Sequence, residues 1–230
     1  MCGRFNQKEK PDLSEVFRDQ VFYNIAPAML ATIIIFKDRT KGIFGFKPAW
    51  DKEKKLLFIN ARADGKTNEQ NNRVGWELGI QNMQTFKTAF AKRRCVIPVT
   101  GFIEGPEKEK LSKPYLISAA DNREFYLGGI YEMFIDKETG EEIPTFAIIT
   151  TPSNDLTAYI GHHRTPLILD KQNIEKWLDT STKVEQIAAI VKSGYVEPGM
   201  KVTPLFPELV KSGRNHEAET MKEAGEYVLF

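Results

Sequence analysis

Apolar and polar positions follow one another along this chain in short blocks, most of them strand-like in length and β-branched character. Residues 30–36 are apolar and β-branched. Lys37, Asp38, Arg39 and Thr40 then read as a turn, and 42–46 return as the second strand of a hairpin. Residues 56–61 read as a further strand, and 95–102, 115–119, 124–134 and 145–150 have buried-strand patterns. Helices are fewer. At 12–20 Asp12 can cap, Glu15 follows three positions on, and Leu13, Val16 and Phe17 share a face. Residues 85–93 place Phe86 and Phe90 at i,i+4 and end on the basic run Lys92, Arg93, Arg94. Residues 171–179 form a helix around Ile174, Trp177 and Leu178. Residues 183–192 form the next, with Thr182 and Glu185 as a capping box and Gly194 as the stop. The run Tyr227-Val228-Leu229 reads as a last edge strand. Many strands with scattered helices predict an α+β fold built on antiparallel sheet. With no linker, repeat or low-complexity tract, residues 1–230 read as one domain.

Composition and charge narrow the picture. The 230 residues are 41% hydrophobic, enough for a full core. A net charge of +1 gives no global basic field, so a nucleic-acid site has to be a local patch. The two cysteines, Cys2 and Cys95, make no disulfide framework. Charged residues crowd positions 1–20 before any apolar run, so these do not read as a signal peptide, and no apolar run is long enough for a bilayer. A reducing cytoplasm is the expected location, and it keeps a reactive Cys2 thiol intact.

The most informative position is Cys2, in Met1-Cys2-Gly3-Arg4-Phe5. If Met1 is removed, one residue carries an α-amine, pKa about 7.7–8.0, beside a thiol, pKa about 8.5. The amine can condense with an aldehyde to an imine, and the thiol can close on the same carbon as a five-membered thiazolidine. No internal cysteine can do this, because its nitrogen is an amide. While Met1 remains, the Cys2 nitrogen is blocked. Cys2 can also act as a plain thiol nucleophile, and taken alone the position reads first as one that tolerates a small residue.

Four further segments carry candidate chemistry. Asn60-Ala61-Arg62 ends an apolar strand; Asn60 caps the chain or bonds a reacting group, and Arg62 holds an anion. Gly101-Phe102-Ile103-Glu104-Gly105 sets a carboxylate among apolar residues and glycines. Buried, Glu104 has a raised pKa and exchanges protons; exposed, it only precedes the turn at Gly105-Pro106-Glu107-Lys108. Gly161-His162-His163-Arg164-Thr165-Pro166 holds two of the three histidines. Neighbours on an extended segment point to opposite faces, so one imidazole is expected at a site and the other in solvent. With His216 distant, the histidines and cysteines lack zinc spacing, so neither metal nor cofactor is expected. Tyr23-Asn24-Ile25-Ala26-Pro27 reads as a compact structural turn.

Taken in order, these segments resemble the SOS-response-associated peptidase (SRAP) family of abasic-site processing proteins. The likeness rests on Met1 to Phe5, Tyr23 to Pro27, Ile59-Asn60-Ala61-Arg62 and the run Phe86 to Cys95 continuing to Pro98. It rests also on Gly101 to Glu104, Ile148-Ile149-Thr150-Thr151 and His162 to Pro166. It covers roughly residues 1–170 in motif form and the whole chain in length. The resemblance implies an α+β pseudo-barrel of antiparallel strands with flanking helices. It also implies a covalent thiazolidine between Cys2 and the C1′ aldehyde of an abasic site in single-stranded DNA. By the same resemblance Asn60 lies near the reacting sugar, Glu104 near the Cys2 amine, and His162 supplies acid/base catalysis. Arg4 and Arg62 hold phosphates, and Arg93, Arg94 and Arg164 are expected to join them, with Trp50 at the groove's edge.

The chain departs from the family pattern in places. The family often has an aromatic on each side of the glutamate, where this chain has Ile103 and Gly105, which removes a stacking surface worth about 1–3 kcal/mol per base. Trp50 is then the remaining stacker or wedge. Asp64 stands where Glu is usual, and nothing is carried over beyond about residue 202. Two other functions stay open: a Cys2-dependent thiol autopeptidase or hydrolase, and a non-catalytic single-strand binder. The expected partner is single-stranded DNA with abasic sites, with no membrane partner, and the expected state is a monomer.

Overall fold

The computed structural model describes residues 2–8, 21–51, 56–65, 77–135, 140–210 and 225–230. The helix expected at 12–20 and His216 lie outside them.

Five strands close a barrel. They are β3 (Leu30–Ile35), β4 (Asp38–Phe44), β6 (Arg94–Val99), β9 (Phe125–Ile135) and β10 (Glu142–Pro152), joined in the order β10-β4-β3-β6-β9 and back to β10. Four seams are antiparallel, and the β10–β4 seam is parallel, with Thr145 opposite Ile43. Closure removes the sheet edges. It also buries both faces of the wall, so all six residues of β6 are buried and the strand reads as a continuous apolar run. Three short strands extend this sheet: β5 (Asn60–Arg62) and β11 (Arg164–Pro166) on β10, and β12 (Ile168–Leu169) on β9.

A second sheet packs against the barrel, in the order β14-β13-β8-β7-β1-β2. Its members are β1 (Arg4–Lys8), β2 (Val21–Ile25), β7 (Gly101–Glu104), β8 (Tyr115–Ala119), β13 (Met200–Pro204) and the edge strand β14 (Val228–Leu229). Phe5, Phe44 and Phe146 meet between the two layers with centroids 5.1 and 5.4 Å apart. Each is fully buried, which stabilises the fold by about 1.5–3 kcal/mol per side chain. On the barrel's outer wall a second core covers Val96, Ile130 and Ile149 with side chains that include Phe90 of α1 (Lys87–Lys92), Trp177 of α3 (Ile174–Leu178) and Val191 of α4 (Val184–Lys192).

Several boundaries differ from the sequence reading. The β3–β4 turn is the two residues Phe36 and Lys37, with Phe36 at φ 56°, and pairing resumes at Ile35–Asp38. The polar run after Phe36 is therefore half-exposed strand. The expected strand 95–102 is two strands, because the chain leaves the barrel for the second sheet at Thr100. Tyr23 to Pro27 is the end of β2 and only then a turn at Pro27 and Ala28. The cap of α4 is Lys183, whose N–H donates to Gln186 Oε1 at 3.3 Å, in place of Thr182 and Glu185. Gly194, at φ 64°, follows its C-terminus as expected. Among the described residues no helix is long and apolar enough to cross a membrane.

A candidate active site where the two sheets meet

Antiparallel pairing of β1 with β7 puts Arg4 opposite Ile103 and Phe5 opposite Phe102. Cys2 lies two residues before this pairing, close enough to Glu104 for its charge to act on the Cys2 thiol. Cys2 is buried, and its thiol points to the Arg4 carbonyl oxygen at 3.7 Å. From the barrel side, β5 runs parallel to β10 with Asn60 beside Ile148 and Arg62 beside Thr150. Asn60 Nδ2 crosses the gap and donates to the Cys2 carbonyl oxygen at 3.1 Å. Its Oδ1 is buried with no hydrogen-bond partner among the described residues, and so remains an acceptor inside the site.

His162 comes from the loop between α2 (Asp155–Tyr159) and β11. Its N–H bonds back to the Thr157 carbonyl oxygen at 2.9 Å, and its Nε2 lies 3.7 Å from Glu104 Oε2. Glu104 is buried, which overturns the exposed-turn alternative. Burial acts on all three groups in the direction of their neutral forms. It pushes the Cys2 thiol up, helped by the Glu104 charge, and pushes the Glu104 carboxyl up. It lowers His162 to about 3, with His163 and Arg164 adding to the effect. His162 is therefore neutral near pH 7, where the sequence reading expected an imidazole exchanging protons.

The two histidines do not point to opposite faces. Their ring centroids are 5.1 Å apart, and His163 Nδ1 lies 3.0 Å from Glu107 Oε2. The backbone is not extended there, because His162 is tied back to α2.

Of the expected arginines, Arg62 lies beside the site, partly exposed, with Nε and Nη2 on the Asp64 carboxylate at 3.2 and 2.9 Å. Asp64 also takes Arg164 Nη1 and Nη2 at 2.9 and 3.0 Å, and Arg164 Nη2 bonds the Thr150 carbonyl oxygen at 2.7 Å. Arg164 is buried, and so is Arg4. Arg94 does not reach the groove: it is buried and donates to the carbonyl oxygens of Phe90, Ala91, Trp177 and Asp179 at 2.6–2.8 Å. There it ties α1 to α3 under the barrel. Arg93 is paired with Glu132 at 2.6 Å. Trp50 is more than half exposed, in the segment after Lys47, whose N–H bonds Thr145 Oγ1.

Asp64 and Glu107 were not picked out as functional from the sequence. Asp64 had only a weak signal, since it follows Arg62 by two residues in the turn that closes β5. Glu107 had no local signal, because its partner is 56 residues away. Among the described residues no group of three or more His, Cys, Asp or Glu side chains gathers as a metal site.

Comparisons with known proteins agree with this architecture. The family model described as SOS response associated peptidase (SRAP) matches residues 1–211. The abasic site processing protein YoqW of Bacillus subtilis is 27% identical, over 96% of this chain and 99% of its own length. The abasic site processing protein HMCES of Gallus gallus is 27% identical over 59% of this chain and 44% of its own. A crystal structure of a Bacteroides thetaiotaomicron protein superposes with a TM-score of 0.65 at 29% identity, covering 86% of this chain and 84% of that one. With a family model matching residues 1–211, nearly its whole length, this chain belongs to the SOS response associated peptidase (SRAP) family.

Proposed function

We propose that this protein processes abasic sites in single-stranded DNA by forming a covalent thiazolidine through Cys2. Hydrolytic removal of Met1 frees the Cys2 amine. The neutral amine adds to C1′ of the ring-opened sugar and loses water to leave an imine. Cys2 Sγ then adds to that carbon, and the thiol proton ends on the nitrogen as the ring closes. Arg62 is the phosphate contact, and Asn60 Oδ1 is free to accept from a sugar hydroxyl.

The observation that carries this reading is the surroundings of Cys2: a residue at the start of the chain, buried, held through its carbonyl by Asn60 and set beside Glu104. Burial keeps the thiol protonated, which suits an order in which the amine attacks first and the thiol brings its own proton. It does not suit a thiolate attacking an amide, as a thiol peptidase requires. A buried Glu104 with a raised pKa can take the proton of the amine and return it to the departing water.

Intact-mass spectrometry of the purified protein with abasic single-stranded DNA tests the reading. A heat-stable adduct without borohydride is expected from wild type. Cys2→Ser keeps an amine and is expected to give a borohydride-trapped imine but little heat-stable adduct. An equally stable adduct from Cys2→Ala overturns the thiazolidine. Turnover of amide substrates without adduct replaces it with a peptidase, and reversible binding unaffected by Cys2→Ala replaces it with a simple binder.

A further inference from the structure

Glu104 and His162 belong to different loops. Glu104 ends β7 and leads into the loop 105–113, and His162 stands in the loop 160–163. Their 3.7 Å approach therefore depends on what holds these loops together. The first loop is closed on itself. Lys110 N–H bonds the Pro106 carbonyl oxygen at 2.7 Å, and Ser112 N–H and Oγ both bond the Glu109 carbonyl oxygen. Its fit is tight enough that a Cβ on Gly105 would sit 1.8 Å from the Lys110 carbonyl oxygen.

Glu107 joins this closed unit to the histidine loop twice. Its N–H donates to the Gly161 carbonyl oxygen at 3.2 Å, and its Oε2 lies 3.0 Å from His163 Nδ1. Gly161, at φ 73°, makes the turn that presents this carbonyl. His163 is anchored at its other end, where its carbonyl oxygen accepts from Ser153 N–H at 3.0 Å. Glu107 thus grips the residues on both sides of His162.

We infer that Glu107 and His163 are positioning residues: their contact latches the two loops and sets His162 against Glu104, the carboxylate that the crosslinking proposed above uses to move the amine proton. The pair touches neither Cys2 nor a reacting atom, so its action runs through His162. A displacement of about 1 Å of a reacting group can lower a rate by about a hundredfold. A latch of this kind should therefore be read in rate, with DNA affinity left alone.

The test compares Glu107→Ala, Glu107→Gln and wild type by single-turnover crosslinking at saturating abasic single-stranded DNA. A non-reactive tetrahydrofuran-site oligonucleotide reports affinity. Glu107→Ala is expected to crosslink about 10- to 100-fold more slowly with its affinity unchanged within twofold. Glu107→Gln keeps the side-chain length and an oxygen beside His163 Nδ1, and is expected to restore the rate to within about threefold of wild type. An unchanged rate in Glu107→Ala, a parallel loss of affinity, or failure of Glu107→Gln to restore the rate overturns the latch. The inference rests on the proposed crosslinking, so a second readout uses the protein alone. The His162 ring resonances are expected to move in Glu107→Ala and return in Glu107→Gln. If wild type makes no adduct but these resonances move, the crosslinking reading fails and the latch stands. If they stay in place, the latch is wrong.

Discussion

His162 and Glu104 face each other at 3.7 Å, close enough for attraction to favour the charged forms of both. Burial nevertheless drives His162 down to about 3 and Glu104 up. The effects on stability have opposite signs. An unfolded histidine titrates near 6.5, so below that pH the unfolded chain takes up a proton that the folded chain refuses. The His162 contribution is fully present above pH 6.5 and is lost as pH falls toward about 3. Glu104 holds its proton longer when folded, so its contribution is present below about 4.3 and lost as pH rises through its raised value. Urea unfolding at pH 7 and pH 5 separates the two. His162→Gln is expected to lose less stability than wild type between these pH values, by up to about 1.4 kcal/mol per unit below 6.5. The same substitution is expected to slow crosslinking, because the neutral ring set against Glu104 is lost. In wild type the rate is expected to show no inflection near pH 6.5, because His162 carries no proton to lose there. An inflection at that pH would mean that the site titrates as an ordinary exposed imidazole.

At the level of elements, β10 organises the site by receiving β5 in parallel and β11 in antiparallel register. That brings Arg62 and Arg164 onto one carboxylate, Asp64. Asp64 and Arg164 are almost wholly buried, so the attraction is little screened, while Arg62 is about one-fifth exposed. Removing one partner of a buried pair strands the other charge, at a cost of about 3–5 kcal/mol. Asp64→Asn is therefore expected to lower stability by about that amount in equilibrium unfolding, and Asp64→Glu by less. The carboxyl lies below its usual range because both arginines bond it, so this support is lost only as pH falls through the depressed value. This junction also marks how far the sequence could be read. The strands of 30–36, 115–119 and 124–134 were legible from local pattern, because burial on one or both faces leaves its period in the residue order. The break at Thr100 was not, since both sides are equally apolar and only the partner sheet changes. Cys2, Asn60, Glu104 and His162 were legible as motif residues, but nothing local said that Asn60 would bond the Cys2 carbonyl. Arg94 looked like a surface cation beside Arg93, and only the fold reveals the four carbonyls that surround it.

Across the whole molecule, a net charge of +1 leaves DNA affinity to a few local cations. The fold reduces their number further. Arg4, Arg94 and Arg164 are enclosed, and Arg93 is neutralised by Glu132. Arg62 stands differently. Asp64 engages its Nε and Nη2, and the side chain, on the same strand as Asn60, stays about one-fifth exposed. A phosphate there meets a guanidinium already fixed in orientation, so little side-chain entropy is lost on binding. Each phosphate neutralised on a single strand contributes about 0.7 to the slope of log K against log salt. Arg62→Ala is therefore expected to weaken binding of abasic single-stranded DNA and to lower that slope by about 0.7. Arg94→Lys is expected to leave the slope unchanged while lowering the unfolding temperature, because a lysine has only three donors and cannot serve four carbonyls. Fluorescence anisotropy across a salt series, with a thermal melt of each variant, measures both. If Arg62→Ala changes neither affinity nor slope while Arg94→Lys lowers the slope, the DNA path runs over the helical side of the barrel and not past Cys2.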